Sequence, residues 1–138
     1  MKKTNLMLLL AAMCAASSYC QAEDNVLTKK EIKQGWELLF NGKDLSEWRN
    51  FNGTVLSNGW GVVNGCIQAS GSGADDSGYI VTKRKFADFE LTWDWKLTHG
   101  GTSGLISHVV ENPAFSVPYV TGPEYQLIDN KGWEEVWK

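Results

Sequence analysis

The chain has 138 residues, a net charge of −3, 43% hydrophobic and 21% charged residues, 14 Gly and 7 Trp. This length and composition fit one globular domain or part of one, and they exclude a multidomain machine, a solenoid and a disordered chain. The acidic balance excludes a nucleic-acid or anionic-membrane surface, which needs clustered Lys and Arg.

Lys2 and Lys3 precede an unbroken apolar run over 6–16, followed by small and polar residues that end at Cys20-Gln21-Ala22. This three-part pattern predicts a secretory signal over 1–22, cut after Ala22, with a lipoprotein cut at Cys20 as the less favoured reading. Eleven apolar residues are too few to span a bilayer, so no integral membrane segment is expected in the mature chain. The expected localisation is secreted or periplasmic. Removing 22 residues from 138 leaves 116, and the loss of two Lys takes the charge from −3 to −5. Cys66 is then the sole remaining Cys, so the core rather than a disulfide must supply stability. Its apolar surroundings predict a buried small hydrophobe.

Residues 23–34 read as a polar leader, weakly helical over Thr28 to Gln34, and 35–138 as the domain. Trp36 to Phe40 is an expected strand, followed by a turn at Asn41-Gly42 that Asp44 caps. Gly59 to Val63 and Cys66 to Ala69 flank Asn64-Gly65, the residue pair a type I′ hairpin turn favours. Ser70 to Ser77 is a loop, in which Asp75-Asp76 is a solvated pair or a weak cation site. Tyr79 to Thr82 is a further strand.

Phe89, Leu91, Trp93, Trp95 and Leu97 alternate with Glu90, Thr92, Asp94 and Lys96. Strict period two over nine residues predicts a long half-buried strand with Trp93 and Trp95 in the core. Its polar members recur about 7 Å apart along the other side. His99 to Gly101 is a turn, Leu105 to Val110 a strand containing His108, and Asn112 to Thr121 a long loop. Glu124 to Ile128 is the last strand, and Lys131 to Lys138 carries Trp133, Val136 and Trp137 at the spacing of one helical turn. Six or seven short strands with Gly-rich turns predict an all-β sandwich or barrel. The strand count is low for a closed sandwich, so the chain reads as the front portion of one.

No CxxC, HExxH, phosphate-loop or GxSxG pattern is present. Gly122-Pro123-Glu124-Tyr125-Gln126 sets a carboxylate and an amide on one strand face next to an aromatic ring. Such groups serve a sugar site through hydrogen bonds to hydroxyls and stacking on C–H faces, and they occur equally on an ordinary sheet surface.

Five blocks carry a family resemblance: Gly35 to Arg49 (GWELLFNGKDLSEWR), Gly59 to Ile67, Phe86 to Leu97, Gly100 to His108 and Thr121 to Asn130. In this order they resemble the 3-keto-disaccharide hydrolase domain family, over nearly all of the mature chain. The resemblance implies a concanavalin A-like jelly-roll sandwich, incomplete at the C-terminus, because the family domain continues through further strands. It also implies cleavage of the glycosidic bond of 3-keto-glycosides, with a carbohydrate substrate and room for a divalent cation of unknown ligands. On that reading Glu124 is the first candidate for a catalytic or metal-binding carboxylate and His108 for a base or ligand. Gln126 is a sugar ligand beside Tyr125, and Glu90, Asp94 and Lys96 line the concave face. Two positions depart from the family: Thr102 where Asn is usual, and His108 where an Arg is usual, whose fork a His does not reproduce. The alternative function is a non-catalytic, lectin-like carbohydrate-binding module, since one fold serves both uses. A conventional β-glucanase is disfavoured, because no E-x-D-x-E spacing occurs on a strand.

Overall fold

The computed structural model describes residues 24–70 and 77–136, so the expected signal segment and Asp75-Asp76 lie outside the described residues. Within them the regular structure is mostly strand, with six short strands in three two-stranded antiparallel ribbons, two short α-helices and one 3-10 turn over Pro118–Val120. Small sheets of this kind agree with part of a β-sandwich.

Helix α1 (Lys29–Gln34) opens on a capping box in which the Thr28 hydroxyl accepts the Glu31 N–H and the Glu31 carboxylate accepts the Thr28 N–H. These reciprocal bonds satisfy backbone donors that a first helical turn leaves orphaned. The helix ends at Gly35, whose φ of 87° is the left-handed geometry of a helix C-cap. The Asn25 amide donates to the Gly65 carbonyl at 2.9 Å and seats the leader on the hairpin. The expected strand over Trp36 to Phe40 does not form, because its backbone pairs with no other strand among the described residues. Its main anchor is the Trp48 indole N–H, which donates to the Leu39 carbonyl at 3.0 Å. The turn that follows is held as expected: the Asn41 side chain accepts the Lys43 and Asp44 N–H groups, and Asp44 accepts that of Ser46.

Strand β1 (Trp48–Asn50) pairs with β4 (Ile80–Thr82), bringing together segments about thirty residues apart. Strands β2 (Trp60–Val63) and β3 (Cys66–Ala69) form the hairpin, with Val63 opposite Cys66. Asn64 and Gly65 hold φ of 50° and 75°, the two positive values that a type I′ turn needs. Cys66 is exposed, contrary to the expected buried hydrophobe. It lies at the turn end of the ribbon, where no second layer covers it.

Strands β5 (Thr102–Ile106) and β6 (Glu124–Ile128) make the third ribbon. Strand β5 starts earlier than expected and ends before His108, which sits in a bend at φ 55° rather than within the strand. Helix α2 (Asn130–Val136) follows β6 directly. The Asp129 carboxylate accepts the Gly100 N–H at 3.0 Å, and this bond, with a second from the Gly132 N–H, holds its carboxyl below the usual range. The contact pins the 98–101 turn and α2 to one end of the β5–β6 ribbon.

The expected long strand over 89–97 joins no ladder. Trp93 and Trp95, expected in the core, are 38% and 51% exposed. Alternation gives this segment one apolar face, but among the described residues that face is covered only in part, by contacts such as Trp93 on Tyr125, and both indoles stay exposed. Leu127, at 8% exposure, and Pro118 are the buried apolar side chains among the described residues. No helix there is long and apolar enough to cross a membrane.

Candidate functional site

Cross-strand partners in an antiparallel pair point to the same face. The β5–β6 register pairs Thr102 with Ile128, Gly104 with Gln126, and Ile106 with Glu124. These six residues form one face, and Ser103, Leu105, Tyr125 and Leu127 the other. On the second face the Tyr125 ring meets the Trp93 ring edge-on at 5.6 Å. The 89–97 segment therefore lies against the Tyr125 side and leaves the Glu124 side open.

Glu124 is exposed, and its side chain lies diagonally across the ribbon above Gly104. A Cβ at position 104 would fall on the Glu124 carboxyl, its Cδ and Cγ included. The absence of a side chain at Gly104 is what lets the carboxylate rest on the strand surface. Gln126 is fixed beside it, because its side-chain NH₂ donates to the Thr102 hydroxyl at 2.6 Å and to the Ser103 carbonyl at 2.8 Å. Thr102 in turn donates to the Leu127 carbonyl at 3.2 Å. With its NH₂ committed, Gln126 offers its amide oxygen outward, an acceptor suited to a hydroxyl.

Ser107 N–H donates to the Pro123 carbonyl at 3.2 Å, which extends the ribbon one step beyond Ile106 and Glu124. His108 follows at once, so it stands at the same end of the ribbon as Glu124. Its ring packs on Phe89 at 6.1 Å with the planes 30° apart, and its Nδ1 is 3.1 Å from the Ser107 hydroxyl. Glu124 and Gln126 thus share one face of the ribbon, while the His108 ring packs on Phe89 of the 89–97 segment and makes no contact with either. Tyr125 is directed to the opposite face. Glu90, Asp94 and Lys96 are exposed on the 89–97 segment and form no hydrogen bond or ion pair with Glu124 or Gln126. Among the described residues no three His, Cys, Asp or Glu side chains converge as metal ligands.

The dependence on Gly104 is testable. Gly104→Ala is expected to displace the Glu124 carboxylate while changing the melting temperature by a few degrees at most. A crystal structure of the variant is expected to show the carboxylate moved off the strand surface above position 104. An unmoved carboxylate in a folded variant would show that Gly104 does not set its position.

A second constellation carries no local sequence pattern, because its members lie 62 residues apart. Arg49 grips Glu111 in a two-pronged pair, Nη1 to Oε1 at 2.5 Å and Nη2 to Oε2 at 2.6 Å. Arg49 also donates to the Asn50 and Gly53 carbonyls, and Glu111 accepts the Asn52 N–H at 2.8 Å. The guanidinium, aided by the Asn52 N–H, holds the Glu111 carboxyl below its ordinary range, and the Glu111 carboxylate raises Arg49 in turn. The Asn52 side chain donates to the Asn112 and Phe115 carbonyls, so the end of β1 and the loop after β5 are locked together.

Comparison with known proteins places these sites in context. The sequence pattern of the 3-keto-alpha-glucoside-1,2-lyase-like domain family matches residues 35–138. A Bacteroides thetaiotaomicron protein described as a 3-keto-disaccharide hydrolase is 30% identical over 132 residues, spanning 86% of this chain and 46% of that protein. A crystal structure of a provisionally assigned glycosyl hydrolase from Parabacteroides distasonis superposes with a TM-score of 0.68 at 48% identity, over 76% of this chain and 46% of that one. The chain thus spans just under half the length of these two relatives.

Proposed function

The chain belongs to the 3-keto-alpha-glucoside-1,2-lyase-like domain family, and from that membership we propose that it acts on 3-keto-glycosides or 3-keto-disaccharides and breaks their glycosidic bond. The observation that carries this reading is the Glu124 carboxylate, seated over Gly104 on an open face beside the anchored Gln126 amide. A ketone at C3 of a sugar acidifies the proton on C2. A carboxylate at that carbon takes the proton, the electron pair moves into an enolate, and the bond from C1 to the leaving oxygen breaks. The leaving oxygen takes up a proton, and water then adds across the resulting double bond to give the free 3-keto sugar. Glu124 has the chemistry of the base. The Gln126 amide oxygen accepts a sugar hydroxyl and fixes the ring, and His108, at the same ribbon end, is the second group able to move a proton. This chemistry differs from that of an ordinary glycosidase, in which two carboxylates flank an oxocarbenium-like centre.

The three ribbons are read as parts of a concanavalin A-like jelly roll, and the chain as a protein exported through the segment 1–22. Export predicts a mature N-terminus at Glu23, which N-terminal sequencing of the protein from a Gram-negative host reads directly; an N-terminus at Met1 in the periplasmic fraction would refute it. The catalytic reading is tested by incubating the protein with 3-keto-trehalose, with and without a chelator, and following the released sugar. Release is the expected result. No release of sugar, with saturable binding of the same compound, would overturn catalysis in favour of a binding module.

A further inference from the structure

A cleft of about 360 Å³ opens between the β1–β4 ribbon and the loop after β5, lined by Asn50, Phe51, Gly78, Tyr79, Ser116, Val117 and Tyr119. It shares no lining residue with the β5–β6 face. Its size lies at the small end of small-molecule sites, which run from about 300 to 1,000 Å³. None of its lining residues is Lys, Arg, His, Asp or Glu, so it has neither a countercharge for an ion nor a strong acid or base for a reaction at neutral pH.

What it offers is aromatic surface with a few neutral polar groups. The Tyr79 and Tyr119 rings meet nearly at right angles, at 71° and 6.2 Å, which makes a corner instead of a closed stack. Tyr119 is 54% exposed. The Asn50 side-chain oxygen already accepts the Ser57 N–H at 3.0 Å, which leaves its NH₂ as the donor for a ligand. A side chain at Gly78, which holds φ of 70°, would stand 3.8 Å from that NH₂ nitrogen, so the glycine keeps the approach open. Ser116 lies on the facing wall. Ring faces with neutral donors and acceptors at their margin match a pyranose, whose C–H faces are apolar and whose rim is hydroxylated.

The walls are also fixed in advance. Phe51 N–H donates to the Tyr79 carbonyl at 2.8 Å, which joins the two strand ends of one wall. The Arg49–Glu111 pair and the Asn52 bonds to Asn112 and Phe115 hold the other wall, immediately before Ser116. A ligand therefore meets walls that need little further ordering to receive it.

We propose that this cleft is a binding subsite for one neutral pyranose ring, stacked on Tyr119 and hydrogen-bonded to Asn50 and Ser116, and separate from the Glu124 face. The subsite binds without reacting, and its occupancy does not depend on Glu124.

The test is titration of the full chain with methyl pyranosides of gluco, galacto and manno configuration, which carry no keto group, followed by calorimetry and ligand-observed NMR. Saturable binding of at least one is expected, with Kd on the order of 1 mM, as suits a single ring. Tyr119→Leu is expected to weaken it at least tenfold, Ser116→Ala to weaken it less, and Tyr119→Trp to preserve it, with circular dichroism confirming that each variant is folded. Glu124→Gln is expected to bind as the parent does. Absence of saturable binding by all three sugars would overturn the proposal. So would parental affinity in both Tyr119→Leu and Ser116→Ala. Loss of binding in Glu124→Gln would assign the sugar to the Glu124 face instead.

Discussion

Glu124→Gln is expected to lower kcat/KM for cleavage of a 3-keto-disaccharide by about 10²–10⁴-fold, the usual contribution of a positioned general base. At about 1.4 kcal/mol per factor of ten, this corresponds to roughly 3–5 kcal/mol of transition-state stabilisation. The substitution is a clean one for this site. Among the described residues the Glu124 carboxylate has no hydrogen-bond or ion-pair partner, and it lies exposed above Gly104. Glutamine has the same shape, so the β5–β6 ladder and the Gln126–Thr102 bond should persist. Steady-state kinetics of the variant, beside a thermal melt, separates lost chemistry from lost structure. An unchanged rate in a folded variant would remove Glu124 from the mechanism, and His108→Ala, measured the same way, would then identify the remaining candidate base.

Arg49→Leu is expected to destabilise the fold by about 2–3 kcal/mol, the range for hydrogen bonds to a charged partner. The Arg49 and Glu111 side chains are only 19% and 22% exposed. Removing the guanidinium leaves a partly buried carboxylate with the Asn52 N–H as its hydrogen-bond donor, a worse state than having neither charge. For a domain of this size the melting temperature should fall on the order of 10 °C. The double variant Arg49→Leu with Glu111→Leu should recover part of the loss, because it no longer strands a charge. Equal melting temperatures for Arg49→Leu and the parent would mean that the pair contributes nothing. The pair also sets a pH dependence. The folded-state pKa of Glu111 is depressed, chiefly by the Arg49 hydrogen bonds. Its contribution is therefore fully present above the ordinary glutamate pKa of about 4.3 and is lost as the pH falls through the lower folded value. Chemical denaturation between pH 3 and 7 should show this loss in the parent and not in the double variant. Because the pair also holds one wall of the Tyr119 cleft, Arg49→Leu should loosen that wall.

The parts of the fold that were legible in the sequence are those whose causes are local. Asn64-Gly65 predicts the β2–β3 hairpin because two successive residues must hold positive φ, and they do. Lys29 to Gln34 forms the helix its composition allows, opened by the capping box between Thr28 and Glu31. Glu124 to Ile128 forms the strand its alternation predicts, with Glu124 and Gln126 on one face. What failed depended on a distant partner. The 89–97 segment has the strongest alternation in the chain, but alternation describes which side chains suit a strand and not whether another strand lies alongside. Cys66 sits in an apolar run, and its exposure follows from the absence of a covering layer over the hairpin end. His108 was expected inside a strand, yet the β5 ladder is registered from Thr102 and ends at Ile106, so His108 falls in the bend beyond it.

The same division holds for the sites. Glu124, Gln126 and His108 can be picked out from the sequence because a carboxylate, an amide and an imidazole declare their chemistry by residue type, and a family resemblance marks their blocks. Sequence alone also determined the turn chemistry, the capping of α1 and the face shared by Glu124 and Gln126, since φ preferences and a period of two act over a few residues. Only the tertiary structure decided that Glu124 rests in the space Gly104 leaves, that Gln126 commits its NH₂ to Thr102, and that Arg49 meets Glu111 to brace an aromatic cleft. Those contacts join residues 20 to 62 positions apart, and chain closure over such distances is selected by packing and register rather than by any local preference of the residues involved.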